Sequence, residues 1–79
     1  MNPERVKLSY PEALVSEPLI GRMVLEFGVL ANIRRANVEE HFGWLVCELS
    51  GDPERIDAAL RWLVEQGVQV DRLSDFVEG

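Results

Sequence analysis

The sequence predicts an α+β fold in which two helices cover one face of a four-stranded antiparallel sheet. Apolar residues alternate in short runs typical of strands, and in two longer segments they recur at helical spacing. These segments follow one another as strand, helix, strand, strand, helix, strand. At 79 residues the chain has the length of one such domain.

The strands are predicted from alternation of apolar and polar side chains. The first run stops at Pro11, which cannot donate a hydrogen bond to a sheet ladder. A polar extended segment and a turn containing Gly43 lead into the most regular run, which Ser50 and Gly51 interrupt. The predicted strands cover residues 6–10, 29–39, 44–49 and 68–71, with the turn at 41–43.

The first helix is predicted over residues 19–27, where one apolar stripe recurs at helical spacing. We expect Ser16 or Glu17 to cap this helix and Pro18 to lie in its first turn. Gly28 follows the stripe and suits a left-handed helix end.

The second helix has clearer boundaries. Asp52 is a strong N-cap residue, and Pro53 fits the first helical position. One apolar stripe then runs from Ile56 to Leu63, and Gly67 ends the helix. With right-handed crossovers, the complete order gives the ferredoxin-like βαββαβ arrangement.

In the predicted strand at 44–49, alternation places Leu45, Cys47 and Leu49 on one face. Because two helices can cover only one face of the sheet, Trp44 and Val46 should lie exposed on the open face. We interpret this pair as a binding or self-association surface. The alternative is that they are scattered surface apolar residues without a role.

Charge and composition exclude several classes of function. Eight Lys and Arg against fourteen Asp and Glu give a net charge of −6, which disfavours nucleic acids and anionic membranes. No apolar run has the length of a membrane helix, and the N-terminus has no apolar signal segment. We therefore expect a soluble cytoplasmic protein without direct membrane insertion.

The sequence contains few residues of the types that serve in catalysis or metal binding. One cysteine, Cys47, and one histidine, His41, cannot form a disulfide, a Cys/His zinc site or an iron–sulfur site, so we expect no metal and no cofactor. Cys47 falls in the predicted core, where a thiol packs as a small apolar group. His41 follows Glu39 and Glu40 and is typical of a solvated turn, although a small enzyme using it as a base is one hypothesis.

Asn32 is the most informative polar residue of the extended segment. Asparagine is a poor strand former, so its presence indicates a bulge, a sheet edge or a required amide. Its amide could meet both the ammonium and the carboxylate of a free amino acid. The structural and the ligand-binding interpretations both stay open at this point.

Several short motifs follow in a fixed order along residues 5–73: Pro18-Leu19-Ile20, Phe27-Gly28-Val29, Asn32-Ile33, Gly43-x-Leu45-x-Cys47-x-Leu49-x-Gly51, Ala59-Leu60-x-x-Leu63 and Gly67-Val68-x-Val70. Together they resemble the NIL domain, which is named for an Asn-Ile-Leu tripeptide. That domain is best known as the C-terminal regulatory domain of the ATPase subunit of bacterial methionine importers.

The resemblance implies an ACT-like, ferredoxin-like domain that forms a homodimer and binds a small amino acid, methionine in the importers, at the dimer interface. It implies ligand contact by Asn32, with Ile33, Trp44 and Val46 in the pocket wall or the dimer contact. Arg34 stands where the family has leucine. It would either pair with the ligand carboxylate or alter the methionine pocket.

The whole chain, 1–79, is therefore interpreted as a single NIL-like domain with a core at about 5–73 and short flexible ends. We find no Walker lysine motif, and expect the domain to act without catalysis as a dimeric amino-acid sensor, in trans on a transporter ATPase. The alternative is a protein-interaction module without a small ligand that docks through Trp44 and Val46.

Overall fold

The structure is a computed structural model that describes residues 3–73. The predicted flexible tail at 75–79 lies outside the described residues. The order of strands and helices is the predicted one, with one additional 3₁₀ turn. The elements are β1 (Glu4–Pro11), the 3₁₀ turn (Glu12–Leu14), α1 (Leu19–Phe27), β2 (Leu30–Val38), β3 (Phe42–Ser50), α2 (Pro53–Gln66) and β4 (Gln69–Arg72).

The four strands form one antiparallel sheet in the order β2-β3-β1-β4. β1 is central and pairs with both β3 and β4, whereas β2 lies at one edge. The two helices pack on one face of this sheet, so the predicted ferredoxin-like α+β fold is confirmed.

The core lies between the sheet and the two helices. The alternation of β3 is confirmed, because Cys47 and Leu49 are fully buried and Leu45 packs at the margin of the core. The rings of Phe27 and Trp62 meet between the helices with centroids 5.8 Å apart. The buried residues are Val6, Leu8, Tyr10, Leu19, Met23, Val29, Cys47, Leu49, Ile56, Ala59, Leu60, Leu63 and Val68.

The boundaries of α2 are those predicted. The Asp52 carboxylate accepts a hydrogen bond from the backbone N–H of Glu54 at 2.8 Å, and Pro53 occupies the first turn. Such a cap typically stabilises a helix by about 1 kcal/mol. Gly67 ends the helix with φ of 105°, a left-handed conformation that favours glycine.

The start of α1 differs from the prediction. The N-cap residue is Pro18, and neither Ser16 nor Glu17 caps the helix. The reason is the preceding chain: the Glu12–Leu14 turn continues in further turns, and the Leu19 N–H donates to the Glu17 carbonyl at 2.8 Å. The predicted end at Gly28, with φ of 67°, is confirmed.

The turn between β2 and β3 comes earlier than predicted. Phe42 and Gly43 already belong to β3, because β1 extends through Pro11 and pairs with both of them. The Glu39 N–H donates to the Phe42 carbonyl at 2.8 Å and closes the hairpin. β4 begins one residue later than predicted, since the Val68 N–H donates to the Leu63 carbonyl of α2 at 3.0 Å.

Candidate ligand site on the open sheet face

The open face is the side of the sheet opposite the helices. Residues reach it where they alternate with the buried residues of their strand. It carries polar and charged side chains with a few apolar ones between them. They are Arg5, Lys7 and Ser9 of β1, Trp44, Val46, Glu48 and Ser50 of β3, Leu30, Asn32, Arg34, Arg35 and Asn37 of β2, and Gln69 and Asp71 of β4.

Trp44 and Val46 lie on the open face, opposite Ser9 and Lys7 of the neighbouring strand. Both lie on the predicted face but are half-buried instead of exposed. The Lys7 ammonium nitrogen lies 5.1 Å from the centre of the Trp44 ring. This cation–π contact covers part of the ring and gives the open face an apolar centre with a charged margin.

Asn32 lies on edge strand β2, opposite Glu48. Its side chain is exposed, and within residues 3–73 its amide makes no hydrogen bond. Leu30, two residues earlier, is 70% exposed. The amide is therefore available to a ligand beside an apolar side chain.

A β-bulge separates the three predicted ligand-binding residues. Ile33 pairs with Cys47, whereas Arg35 pairs with Val46, so Arg34 is the additional residue in β2. Ile33 therefore lies toward the helix side of the edge strand and is 52% exposed. Arg34 reaches the open face, where its Nη1 lies 3.5 Å from Oε1 of Glu48. The structure thus brings Asn32 and Arg34 together and places Ile33 apart from them.

Arg5, Arg34 and Arg35, which we call the arginine cluster, surround a shallow cleft of about 370 Å³ on the open face. Val46 and Leu73 complete its lining. Arg5 donates a hydrogen bond from Nη2 to Oε2 of Glu48 at 2.9 Å. The cleft is therefore lined by three guanidinium groups and two apolar side chains, and Arg5 also binds the Glu48 carboxylate.

Glu48 is ionised at neutral pH. Its pKa is lowered, chiefly by the hydrogen bond from Arg5 and further by the charges of Arg34 and Arg5, while desolvation opposes the shift. Since Glu48 pairs with Arg5 and Arg34 but not with Arg35, the cleft keeps an excess of positive charge in a chain of net charge −6. It is suited to a carboxylate ligand.

Sequence reasoning missed Arg5 and Arg35 as members of this site. Arg5 alternates with Val6 of β1 and could have been assigned to the open face on that basis. Arg35 could not, because its face depends on the bulge at Arg34.

The groups considered for catalysis lie elsewhere. The His41 side chain is 72% exposed, and its Nδ1 lies 3.3 Å from Oε2 of Glu12. Burial raises the pKa of the Cys47 thiol to about 11, so it stays protonated at neutral pH. Within residues 3–73, no three His, Cys, Asp or Glu side chains converge as metal ligands. None of the helices in this part of the chain is long and apolar enough to cross a membrane.

The fold and the uncovered sheet face define a small ferredoxin-like domain of the α+β class. The model of the NIL domain family matches residues 4–72. The chain therefore belongs to the NIL domain family, which confirms the resemblance found in its motifs.

Curated relatives are of two kinds. The chain is 34% identical over 79 residues to a methionine import ATP-binding protein of Enterococcus faecalis, covering 95% of this chain and 22% of that protein. It is 43% identical over 67 residues to the Symbiobacterium thermophilum protein of the same description, covering 80% and 20%. An L-aspartate semialdehyde sulfurtransferase iron-sulfur subunit of Methanocaldococcus jannaschii is 34% identical over 64 residues, covering 81% and 48%.

The chain spans only about a fifth of the length of the methionine import relatives. Among solved structures, the C-terminal domain of an ABC transporter ATP-binding protein from Enterococcus faecalis superimposes with a TM-score of 0.81. It covers 94% of this chain and 87% of that one at 24% identity, and shares the fold.

Proposed function

We propose that this chain is a non-enzymatic regulatory domain that binds a free amino acid, methionine in the first place, on the open face between two copies of the chain. The observation that carries this proposal is the arginine cluster beside the exposed amide of Asn32, on the one sheet face that the helices leave uncovered. The methionine import proteins among the relatives support the choice of ligand.

The chemistry of the cleft fits an amino acid with an apolar side chain. The ligand carboxylate would bind the guanidinium groups of Arg34 and Arg35. The ammonium would meet the amide oxygen of Asn32 and the carboxylate of Glu48, and a thioether chain would pack on Val46. Arg34, which replaces the family's leucine, would thus pair with the ligand instead of removing its site.

Charge also connects ligand binding to dimerisation. A second copy that covered the open face would bury Trp44, Val46 and Leu30, which favours association. It would also bury guanidinium groups, and burying charge without a counter-charge is costly. Bound carboxylates supply that counter-charge, so ligand and partner copy should bind cooperatively.

The regulated protein would be a transporter ATPase, on which the domain acts in trans from the cytoplasm. This step rests on the methionine import ATP-binding proteins among its relatives. The second candidate is a docking module that needs no small ligand. The positive arginine cluster favours it, since that cluster would also fit an acidic surface of a partner.

Calorimetric titration with L-methionine and a panel of free amino acids tests the proposal. We expect saturable heat with an apolar amino acid, and an affinity lowered about tenfold or more in Arg34→Ala, since hydrogen bonds to charged groups contribute about 1.5–3 kcal/mol. Absence of heat with every amino acid at millimolar concentration would overturn the proposal. The docking module instead predicts that Trp44→Ala abolishes capture of the ATPase while methionine has no effect.

A further inference from the structure

The described part of the chain ends beside the arginine cluster. β4 ends at Arg72, and the backbone N–H of Leu73 donates to the Arg5 carbonyl at 2.9 Å. This hydrogen bond continues the pairing with β1 by one residue, and Leu73 lines the cleft of about 370 Å³. The segment that follows in the sequence, residues 74–78, therefore begins at the margin of the cleft.

The composition of this segment complements that of the cleft. Residues 74–78, which we call the acidic segment, contain two carboxylates on either side of two apolar side chains and no basic residue, in the order Asp75, Phe76, Val77 and Glu78. The cleft has the opposite charge and a similar apolar share, because its three guanidinium groups surround two apolar side chains. Complementary charge favours contact between the two.

Arg35 is the member of the arginine cluster whose charge is not compensated. Glu48 lies 2.9 Å from Arg5 and 3.5 Å from Arg34. Within residues 3–73, the Arg35 side chain forms neither an ion pair nor a hydrogen bond. A guanidinium group can bind a carboxylate through two parallel N–H donors, so Arg35 is suited to bind a further carboxylate.

Asp75 is close enough in the sequence to supply that carboxylate. It follows Leu73 by two residues, and an extended chain spans about 3.3–3.6 Å per residue, so the two Cα atoms can lie up to about 7 Å apart. Leu73 and Arg35 line the same cleft. A group attached through so short a connection has an effective concentration in the millimolar range.

We propose that the acidic segment docks on the arginine cluster of its own chain. The Asp75 carboxylate binds the Arg35 guanidinium, and the Phe76 ring packs on Val46 and Leu73. The sequence alone led us to expect a flexible end here. Docking gives Arg35 its counter-charge and removes the Phe76 ring from water, and both effects favour the docked arrangement.

The docked segment would regulate the cleft. The contact itself needs no amino acid, whereas this regulation rests on the proposed function. A ligand carboxylate that binds Arg34 and Arg35 has to displace Asp75, so the apparent affinity falls with the fraction of chains whose cleft is free. An exposed ion pair shifts such an equilibrium about two- to fivefold. We therefore expect the Kd for methionine to fall by about this factor in Asp75→Asn.

Nuclear Overhauser spectra of the intact chain test the contact directly. We expect cross-peaks between the Phe76 ring protons and the Val46 methyl groups. Asp75→Asn should weaken these cross-peaks and shift the amide signals of Arg35 and Val46 in ¹H–¹⁵N spectra. Glu65→Gln is the matched control, because it removes one exposed carboxylate on α2, on the other side of the sheet, and should change neither the cross-peaks nor these amide signals.

A mixture of isotope-labelled and unlabelled chains distinguishes contact within one copy from contact between copies. Cross-peaks that occur only between labelled and unlabelled chains would overturn the proposal, since the segment would then dock on a second copy. Absence of the cross-peaks, with the shift changes of Asp75→Asn confined to residues 73–77, would also overturn it.

Calorimetric titration with L-methionine separates this proposal from the open-face function. Methionine binding in a chain that lacks the Phe76 cross-peaks would refute the docked segment and leave the amino-acid site standing. Cross-peaks in a chain that binds no amino acid would support the docked segment and refute the amino-acid site. With both present, an unchanged Kd in Asp75→Asn would refute displacement of the segment by the ligand.

Discussion

Replacing Asn32 with alanine tests the open-face site at the residue with the fewest internal contacts. The side chain is exposed and makes no hydrogen bond within residues 3–73, so the free energy of unfolding should change by less than about 0.5 kcal/mol. A hydrogen bond between its amide and a charged ligand group contributes about 1.5–3 kcal/mol. We therefore expect the Kd for methionine to rise about 10- to 150-fold.

Asn37 provides a matched control on the same strand. It lies opposite Trp44 on the open face, and its Nδ2 donates to Oε2 of Glu39 at 3.3 Å. Calorimetric titration of Asn37→Ala should give the Kd of the original chain. An unchanged Kd in Asn32→Ala would refute the assignment of this residue, and equal losses in both variants would show that the asparagine amide is not the specific contact.

Three further predictions concern stability. The pKa of Glu48 is lowered in the folded chain, whereas in the unfolded chain an ordinary Glu side chain protonates near pH 4.3. The contribution of Glu48 to the free energy of unfolding is therefore complete above about pH 4.3 and is lost as the pH falls below it. Glu48→Gln should reduce this loss of stability at acid pH, measured by urea unfolding at each pH. An unchanged loss would contradict the ion pairing. The pKa of Cys47 is raised to about 11, so stability should fall between about pH 9 and 11, by on the order of 3 kcal/mol; Cys47→Ala should reduce this decline and leave the part above about pH 10 that the raised pKa of Tyr10 causes. Asp52→Ala should lower the free energy of unfolding by about 0.5–2 kcal/mol, and no change would show that the cap does not contribute to stability.

Much of the fold could be predicted from residues that lie close together in the sequence. Asp52, Pro53 and Gly67 set the limits of α2 through backbone conformations that few other residues adopt as readily. The alternation around Cys47 was equally decisive, because its neighbours face a core on one side only. These features depend on residues close together in the chain.

The predicted and the observed structure differ where segments that are distant in the sequence meet. The prediction that Ser16 or Glu17 caps α1 failed because the 3₁₀ turn before it determines how the chain enters the helix. Trp44 is half-buried instead of exposed, and the Lys7 ammonium of the neighbouring strand lies over its ring at 5.1 Å from the centre.

The candidate sites show the same limit. Asn32 could be selected from its residue type, but the bulge that moves Arg34 to the open face is a property of the pairing between β2 and β3.

The central claim is that a second copy of the chain covers the open face and holds the amino acid there. Sedimentation velocity over a wide range of protein concentrations, with and without saturating L-methionine, measures this most directly. The account predicts a monomer–dimer equilibrium that methionine shifts toward the dimer and that Arg34→Glu makes insensitive to methionine. A species with the mass of one chain at every concentration, with or without methionine, would contradict it.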